Sequence, residues 1–310
     1  MADVKKIATR EAYGKFLVEY GAERKDLIVM SADLSGSNKT DGFEKAYPDR
    51  FIECGISEQD MMAEAAGIAH SGHVVAASSF AMFAAGRAYE IVRNLISHTR
   101  ANVKVCATHG GITVGEDGAT HQTFEDVALM RVLPYMKVIV PADAVSTNKL
   151  MRQEFDTEGP AYFRLGRSGV PAVYDEDAVL EVGKANVLRE GSDVAIIANG
   201  IMVAAALEAA DKLAEKGVSA RVLDMHTVKP LDEEAIVKAA QECGFIVTAE
   251  EHSVIGGLGG AVAEVTAQKC PCRIAMVGQH DTFGESGKPA QLLSKYGMTA
   301  DDIVAAALTK

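Results

Sequence analysis

The sequence predicts an α/β protein of two domains, each a mostly parallel sheet with helices on both faces. Three observations lead there. Short apolar, β-branched runs alternate with segments of helical periodicity along the whole chain, the rhythm of strands joined by crossover helices. At 310 residues the chain is longer than a single domain usually is. Over residues 169–192 the composition turns acidic and turn-rich, so a first domain is expected at 1–172, a linker at 173–190 and a second domain at 191–310.

In chain order, Thr9 can cap a first helix with Tyr13, Phe16, Leu17 and Tyr20 on its apolar face. Leu27–Met30 reads as a buried strand running out into the polar loop 31–38, a site candidate because ligands gather where parallel strands end. A short run from Phe51 ends at Gly55-Ile56, and a helix then extends to about His70, with Ser57 at the N-cap position and Asp60 in the first turn. Val74–Ala77 is a strand leading into Ser79-Phe-Ala-Met-Phe83 and a helix through Ile96. Val103–Ala107 is a strand followed by a long glycine-rich loop from Thr108 to His121. Helical residues around Val127–Arg131, a strand at 136–140, a helix at 144–155 and a strand at 161–165 complete the first domain. The second domain repeats the alternation: strands at 194–197, 220–223, 245–248 and 272–277, with helices after 201, from Lys229-Pro230 and after Gly260.

Composition narrows the function. A net charge of −12 without a concentrated basic face argues against nucleic acid. No run is long enough to span a membrane and residues 1–6 lack a secretory h-region, so a cytoplasmic protein is expected. The cysteine count, 5, is odd and mostly within apolar runs, which suits reduced core thiols. Cys270-Pro-Cys272 has no second pair to complete a zinc site, and no metal ligands are expected on this chain.

Two stretches carry the chemistry. Glu58 stands at a strand-to-helix turn beside an apolar helix: it either complements the helix dipole in water or is a desolvated carboxyl with a raised pKa, suited to proton transfer. The 108–121 loop sets His109, His121, Glu116 and Asp117 among glycines at a strand's end, which suits substrate hydrogen bonding or acid/base work as well as a structural turn. Phe80 and Phe83 are either core or the walls of a flat-ring site, in a chain with only 6% aromatic residues. Gly256-Gly-Leu-Gly-Gly260 misses the dinucleotide spacing and reads as a close-packing turn.

Taken together, Ala8-Thr-Arg10, Ser31-Ala-Asp-Leu34, Gly55-Ile-Ser-Glu-Gln59, Ser79-Phe-Ala-Met-Phe83, Ala107-Thr-His109, Val114-Gly-Glu-Asp-Gly-Ala-Thr-His-Gln122 and Leu165-Gly-Arg167 resemble a transketolase, in transketolase order. The resemblance spans essentially the whole chain and corresponds to the pyrimidine-binding fold followed by the C-terminal domain. It implies thiamine diphosphate as cofactor, bound here by its pyrimidine end. The Gly-Asp-Gly…Asn motif that holds the diphosphate through Mg²⁺ lies in a separate, more N-terminal domain of such enzymes. A split enzyme follows, in which this chain is inactive without an N-terminal transketolase subunit, acts on phosphorylated sugars, and forms a homodimer within a heterotetramer.

By the same resemblance, Glu58 is catalytic, its carboxyl bonding the aminopyrimidine, and His121 joins it. Phe80, Phe83, Asp33 and Ile56 complete the cofactor site. Arg10, Ser37, His109, Asp117, His121 and Arg167 bind substrate, the arginines suiting a phosphate. Ser57 and Gln59 stand where full-length members usually have Arg and His, and Gly86 where a third aromatic is expected. A deoxyxylulose-phosphate synthase-like or 2-oxoacid dehydrogenase β-type subunit, or a non-catalytic subunit keeping the fold, are the alternatives. The C-terminal domain is expected to be structural and dimerising.

Overall fold

The computed structural model describes residues 6–309. Its strands are β1 (Leu27–Ser31), β2 (Phe51–Glu53), β3 (Val74–Phe80), β4 (Val103–Thr108), β5 (Lys137–Ile139), β6 (Ala161–Arg164), β7 (Asn186–Arg189), β8 (Val194–Ala198), β9 (Ala220–Asp224), β10 (Thr227–Lys229), β11 (Phe245–Ser253) and β12 (Arg273–Gln279). They form a seven-stranded sheet in the order β10-β5-β6-β4-β3-β1-β2 and a five-stranded sheet in the order β12-β11-β8-β9-β7. All pairings are parallel except β10 with β5 and β7 with β9. The predicted two-domain α/β architecture is the observed one.

The near-continuous apolar strands are explained by burial on both faces. Every residue of β3, β4 and β6 is buried. Side chains alternate along β3: Val74 and Ala76 pack with Tyr13 and Phe16 of helix Thr9–Glu23, while Val75 and Ala77 pack with Met61 and Met62 of helix Glu58–His70. The aromatic stripe of the first helix is core, with Phe16 stacked on Tyr20 at 5.1 Å and edge-on to Phe155 at 5.0 Å. That same core continues into the second sheet through Val194, Ile196 and Ala198.

The two sheets are also tied through the backbone. β10, which follows β9 in sequence, leaves the second sheet and adds to the edge of the first beside β5, pairing Thr227 with Ile139. Lys229, the expected start of a helix, is instead the last residue of β10, and its ammonium donates to Arg131 O and Leu133 O. The helix begins at Glu233, capped by Asp232, whose carboxylate accepts from Ala235 N–H at 3.0 Å. Within the stretch 173–190, Tyr174 is buried and donates to Asp224 at 2.7 Å, and β7 joins the second sheet.

Two caps differ from expectation. Ala8, not Thr9, is the N-cap residue, and the Thr9 hydroxyl accepts from Gly166 N–H at 2.7 Å, joining the first helix to the chain after β6. Ser57 stands at the N-cap of its helix, but its side chain makes no capping bond. Among the described residues no helix is long and apolar enough to cross a membrane.

Candidate active site

Glu58 opens helix Glu58–His70 directly after the short edge strand β2, and burial in that position leaves it 2% exposed. Its Oε2 accepts from Arg87 Nη1 at 3.2 Å. Of the two readings open in the sequence, solvated or desolvated, burial is the one observed, and the cation beside it was not foreseen. The segment after β3 explains it: Ala88 N–H donates to Phe83 O at 3.1 Å, five residues back, a widened π-type turn of the kind found at functional sites. The Arg87 guanidinium lies over the Phe83 ring at 5.2 Å while reaching Glu58. The available signal was spacing, since Arg87 is the only cation in an apolar segment and falls one turn beyond Phe83. A Cβ at Gly86, where a third aromatic was expected, would meet Met82 Cε at 2.6 Å; the methionine fills that space.

Phe80 ends β3 and Phe83 begins the turn, and their rings lie 6.0 Å apart at 16°. Their neighbours are the two histidines of the glycine-rich loop. His109 packs on Phe80 at 3.9 Å between centroids, and His121 meets Phe83 edge-on at 5.4 Å. The wall expected from two phenylalanines thus includes both imidazoles.

Beyond His109 the surface changes from apolar to cationic. Arg10, on the first helix, donates from Nη1 to Ser37 O at 2.9 Å and to His109 Nε2 at 3.1 Å. Burial, then Arg10 and Arg167, push the His109 pKa down to about 3, so the ring is neutral at physiological pH. Burial and the nearby Arg167 also lower Arg10 from its usual value. Arg167, after β6, donates to Val114 O and lies 3.4 Å from Glu116 and 3.9 Å from Asp117. Arg10, Ser37, His109 and Arg167 come from the first helix, the loop after β1, the end of β4 and the turn after β6. The last three lie beyond the carboxyl ends of parallel strands, where an open α/β sheet collects ligands, and the first helix brings Arg10 to them.

The glycine-rich loop is held from the second domain. Glu251, on β11, accepts from Thr113 N–H at 2.6 Å, and Gln122 donates to Glu285 O at 2.9 Å. Gly111 has φ +85°, and a Cβ there would lie 2.2 Å from the Glu251 carboxyl carbon, so only glycine fits this approach. Arg164 braces the same corner, donating to Asp126 at 2.8 Å and to Glu251 O at 2.8 Å. Burial raises the Glu251 carboxyl above its ordinary value, against the pull of Arg164 and Thr113. The second domain was expected to be purely structural and dimerising; it also shapes the loop that carries His109, Asp117 and His121.

Asp33 and Ile56 stand apart from the contact chain that runs from Glu58 to Arg10. Asp33 is exposed with its N–H on Glu53 at 2.6 Å, and Ile56 is 76% exposed. The second glycine-rich segment also lies elsewhere: Glu250 accepts from Leu258 N–H at 2.7 Å and Gly259 N–H at 2.8 Å, filling the helix N-terminus that a pyrophosphate would need. Among the described residues no group of three or more His, Cys, Asp or Glu is placed to hold a metal ion.

Comparison with known proteins agrees along the whole chain. Residues 5–172 match the family described as the transketolase pyrimidine-binding domain, and residues 183–303 the transketolase C-terminal domain. A transketolase C-terminal section of Methanocaldococcus jannaschii is 48% identical, covering 95% of this chain and 93% of that one. An apulose-4-phosphate transketolase subunit of Phocaeicola vulgatus is 40% identical, covering 97% of each. Among solved structures, a split-gene transketolase in an inactive beta4 tetramer superposes with a TM-score of 0.92 at 54% identity, covering 98% of both chains.

Proposed function

We propose that this chain, which belongs to the transketolase family, is the C-terminal subunit of a split, thiamine diphosphate-dependent transketolase. With an N-terminal partner subunit it moves a two-carbon ketol unit from a ketose phosphate to an aldose phosphate. One observation carries the reading: a single line of contacts runs from the buried Glu58 through Arg87, Phe83, His121, Phe80 and His109 to Arg10. The acid, paired with Arg87, and two aromatic rings stand at one end and the Arg10 guanidinium at the other.

The pyrimidine of thiamine diphosphate is flat, apolar on its faces and polar at its edges. Two phenyl rings inclined by 16° beside a buried carboxyl fit such a ring. When bound, the cofactor supplies the nucleophile and the electron sink for cleaving the carbon–carbon bond. Glu58 would bond the pyrimidine edge, and Phe80 and Phe83 would fix the plane of the ring. Asp33 and Ile56, which stand apart from this line of contacts in the chain alone, are the remaining residues the resemblance assigns to the cofactor. In this reading His121 and Asp117 bond sugar hydroxyls. Arg10, Arg167, Ser37 and His109 form the phosphate end, where forked guanidinium donors match two oxygens of one anion.

The diphosphate and its Mg²⁺ are assigned to the partner, because the Gly-Asp-Gly…Asn motif belongs to the part of the family this chain does not match. The solved beta4 tetramer, described as inactive, supports both self-association and dependence on a partner. The test is reconstitution. The purified chain should transfer no glycolaldehyde, and activity should appear when the N-terminal subunit and thiamine diphosphate are added. Turnover by the chain alone would contradict the split.

A further inference from the structure

His109 is fixed at both ring nitrogens by groups whose roles are not interchangeable. Arg10 Nη1, 3.1 Å from Nε2, has hydrogens and no lone pair, so Nε2 accepts. Thr108 Oγ1, 2.8 Å from Nδ1, has one hydrogen, and it is directed to Asn38 Oδ1 at 2.7 Å. Only lone pairs remain for the ring, so Nδ1 carries the proton. Both sides are needed for this state: without the Thr108 acceptor a proton on Nδ1 would be buried and unpaired. Asn38 and Thr108 are fully buried and His109 is 2% exposed, so bulk water does not compete with the relay.

These bonds also set the state of Arg10. Its Nη1 has two hydrogens, and Ser37 O and His109 Nε2 take both. Its Nε is buried and finds no hydrogen-bond partner among the described residues. The Nε–Nη2 edge, which presents two parallel donors, is the one left for a ligand.

We propose that Asn38 and Thr108 are positioning residues that hold His109 as the neutral Nδ1–H tautomer, an acceptor that turns the Nε–Nη2 edge of Arg10 toward the tetrahedral oxyanion of the substrate. His109 then acts through Arg10 rather than as a donor to the anion. A protonated His109 could not accept from Arg10, in keeping with the low pKa that burial and Arg10 impose on it. The last link, from Arg10 to a substrate anion, rests on the proposed function; the tautomer does not.

Nitrogen-15 NMR of histidine-labelled full-length chain reads the tautomer directly, and inorganic phosphate titrated into the same samples, with the partner subunit present, reads the anion site. Wild type should show His109 neutral with the proton on Nδ1 across pH 5–8, and saturable phosphate binding. Thr108→Val should move the proton toward Nε2 and weaken phosphate about tenfold, the size of one lost hydrogen bond to a charged group. Thr108→Ser, which keeps the hydroxyl, should restore both. A wild-type His109 protonated on Nε2 or titrating near 6.5, no phosphate binding, or undiminished phosphate affinity in Thr108→Val would overturn the proposal. If Thr108→Val does not fold, wild type and Thr108→Ser decide it. Failure of the transketolase reading would appear only as absent glycolaldehyde transfer and would leave the tautomer unchanged.

Discussion

Two glycine-rich segments leave sheets in this molecule, and their polar side chains meet different fates. Residues 108–121, after β4, set His109 and His121 against the phenylalanine wall and Glu116 and Asp117 beside Arg167. Residues 250–260, running out of β11, commit their acids to backbone: Glu250 to Leu258 and Gly259, Glu251 to Thr113 of the first segment. Both are rich in glycine for a steric reason, since a Cβ at Gly111 would strike Glu251 and one at Gly257 would lie 2.2 Å from Glu250. Glycine content therefore marks close approach. Whether a segment is a site depends on which partners its charged groups have left.

The largest test of that contrast lies at the acid that serves no backbone. In the reconstituted complex Glu58→Gln should lower turnover by roughly 10²–10⁴-fold, the usual contribution of a positioned proton donor or acceptor, with the thermal midpoint little changed. Unaltered turnover would make this a non-catalytic subunit and erase the contrast. Glu250→Ala should do the reverse. It leaves two buried N–H groups unpaired and should cost about 1–3 kcal/mol of unfolding free energy in a denaturant titration, while turnover per folded molecule is kept. Lost turnover at unchanged stability would place the second segment in the site.

A smaller effect sharpens the picture at the junction of the two domains. Burial raises the Asp224 carboxyl to about 7, against the hydrogen bond from Tyr174. Its folded pKa lies above the unfolded value, so the folded state holds the extra proton, and the associated stability is complete below about 3.8 and lost as pH rises through 7. Asp224→Asn should flatten the fall of the melting temperature between pH 4 and 7; an unchanged slope would mean that another group titrates there.

Much of the fold was legible because parallel strands buried on both faces are read as unbroken apolar runs, and the helices between them by period. The helix at 144–155 is observed over those same residues. What was not legible depended on tertiary partners. β10 is three residues long and exists because β5 offers an edge, a fact no local pattern carries. Ser57 had the right residue type for a cap, but its side chain makes no such bond. At the site, Glu58, Phe80, Phe83, Arg10, Arg167 and the two histidines were marked by compact motifs. Their partners Arg87, Asn38 and Glu251 were not, because each acts across tens of residues of sequence; Thr108 lay inside a quoted motif, but its role depends on the distant Asn38. The exposure of Ile56 and the outward position of Asp33 were equally invisible, since four residues, 54–57, run free of strand and helix between β2 and its helix.

The account turns on where the cofactor's ring lies, and a structure of the reconstituted complex with thiamine diphosphate bound measures this directly. The prediction is an aminopyrimidine against Phe80 and Phe83 with its edge bonded to Glu58, and a diphosphate whose Mg²⁺ is held by the N-terminal subunit. A ring lying away from Glu58, or a Mg²⁺ ion ligated by this chain, would contradict it.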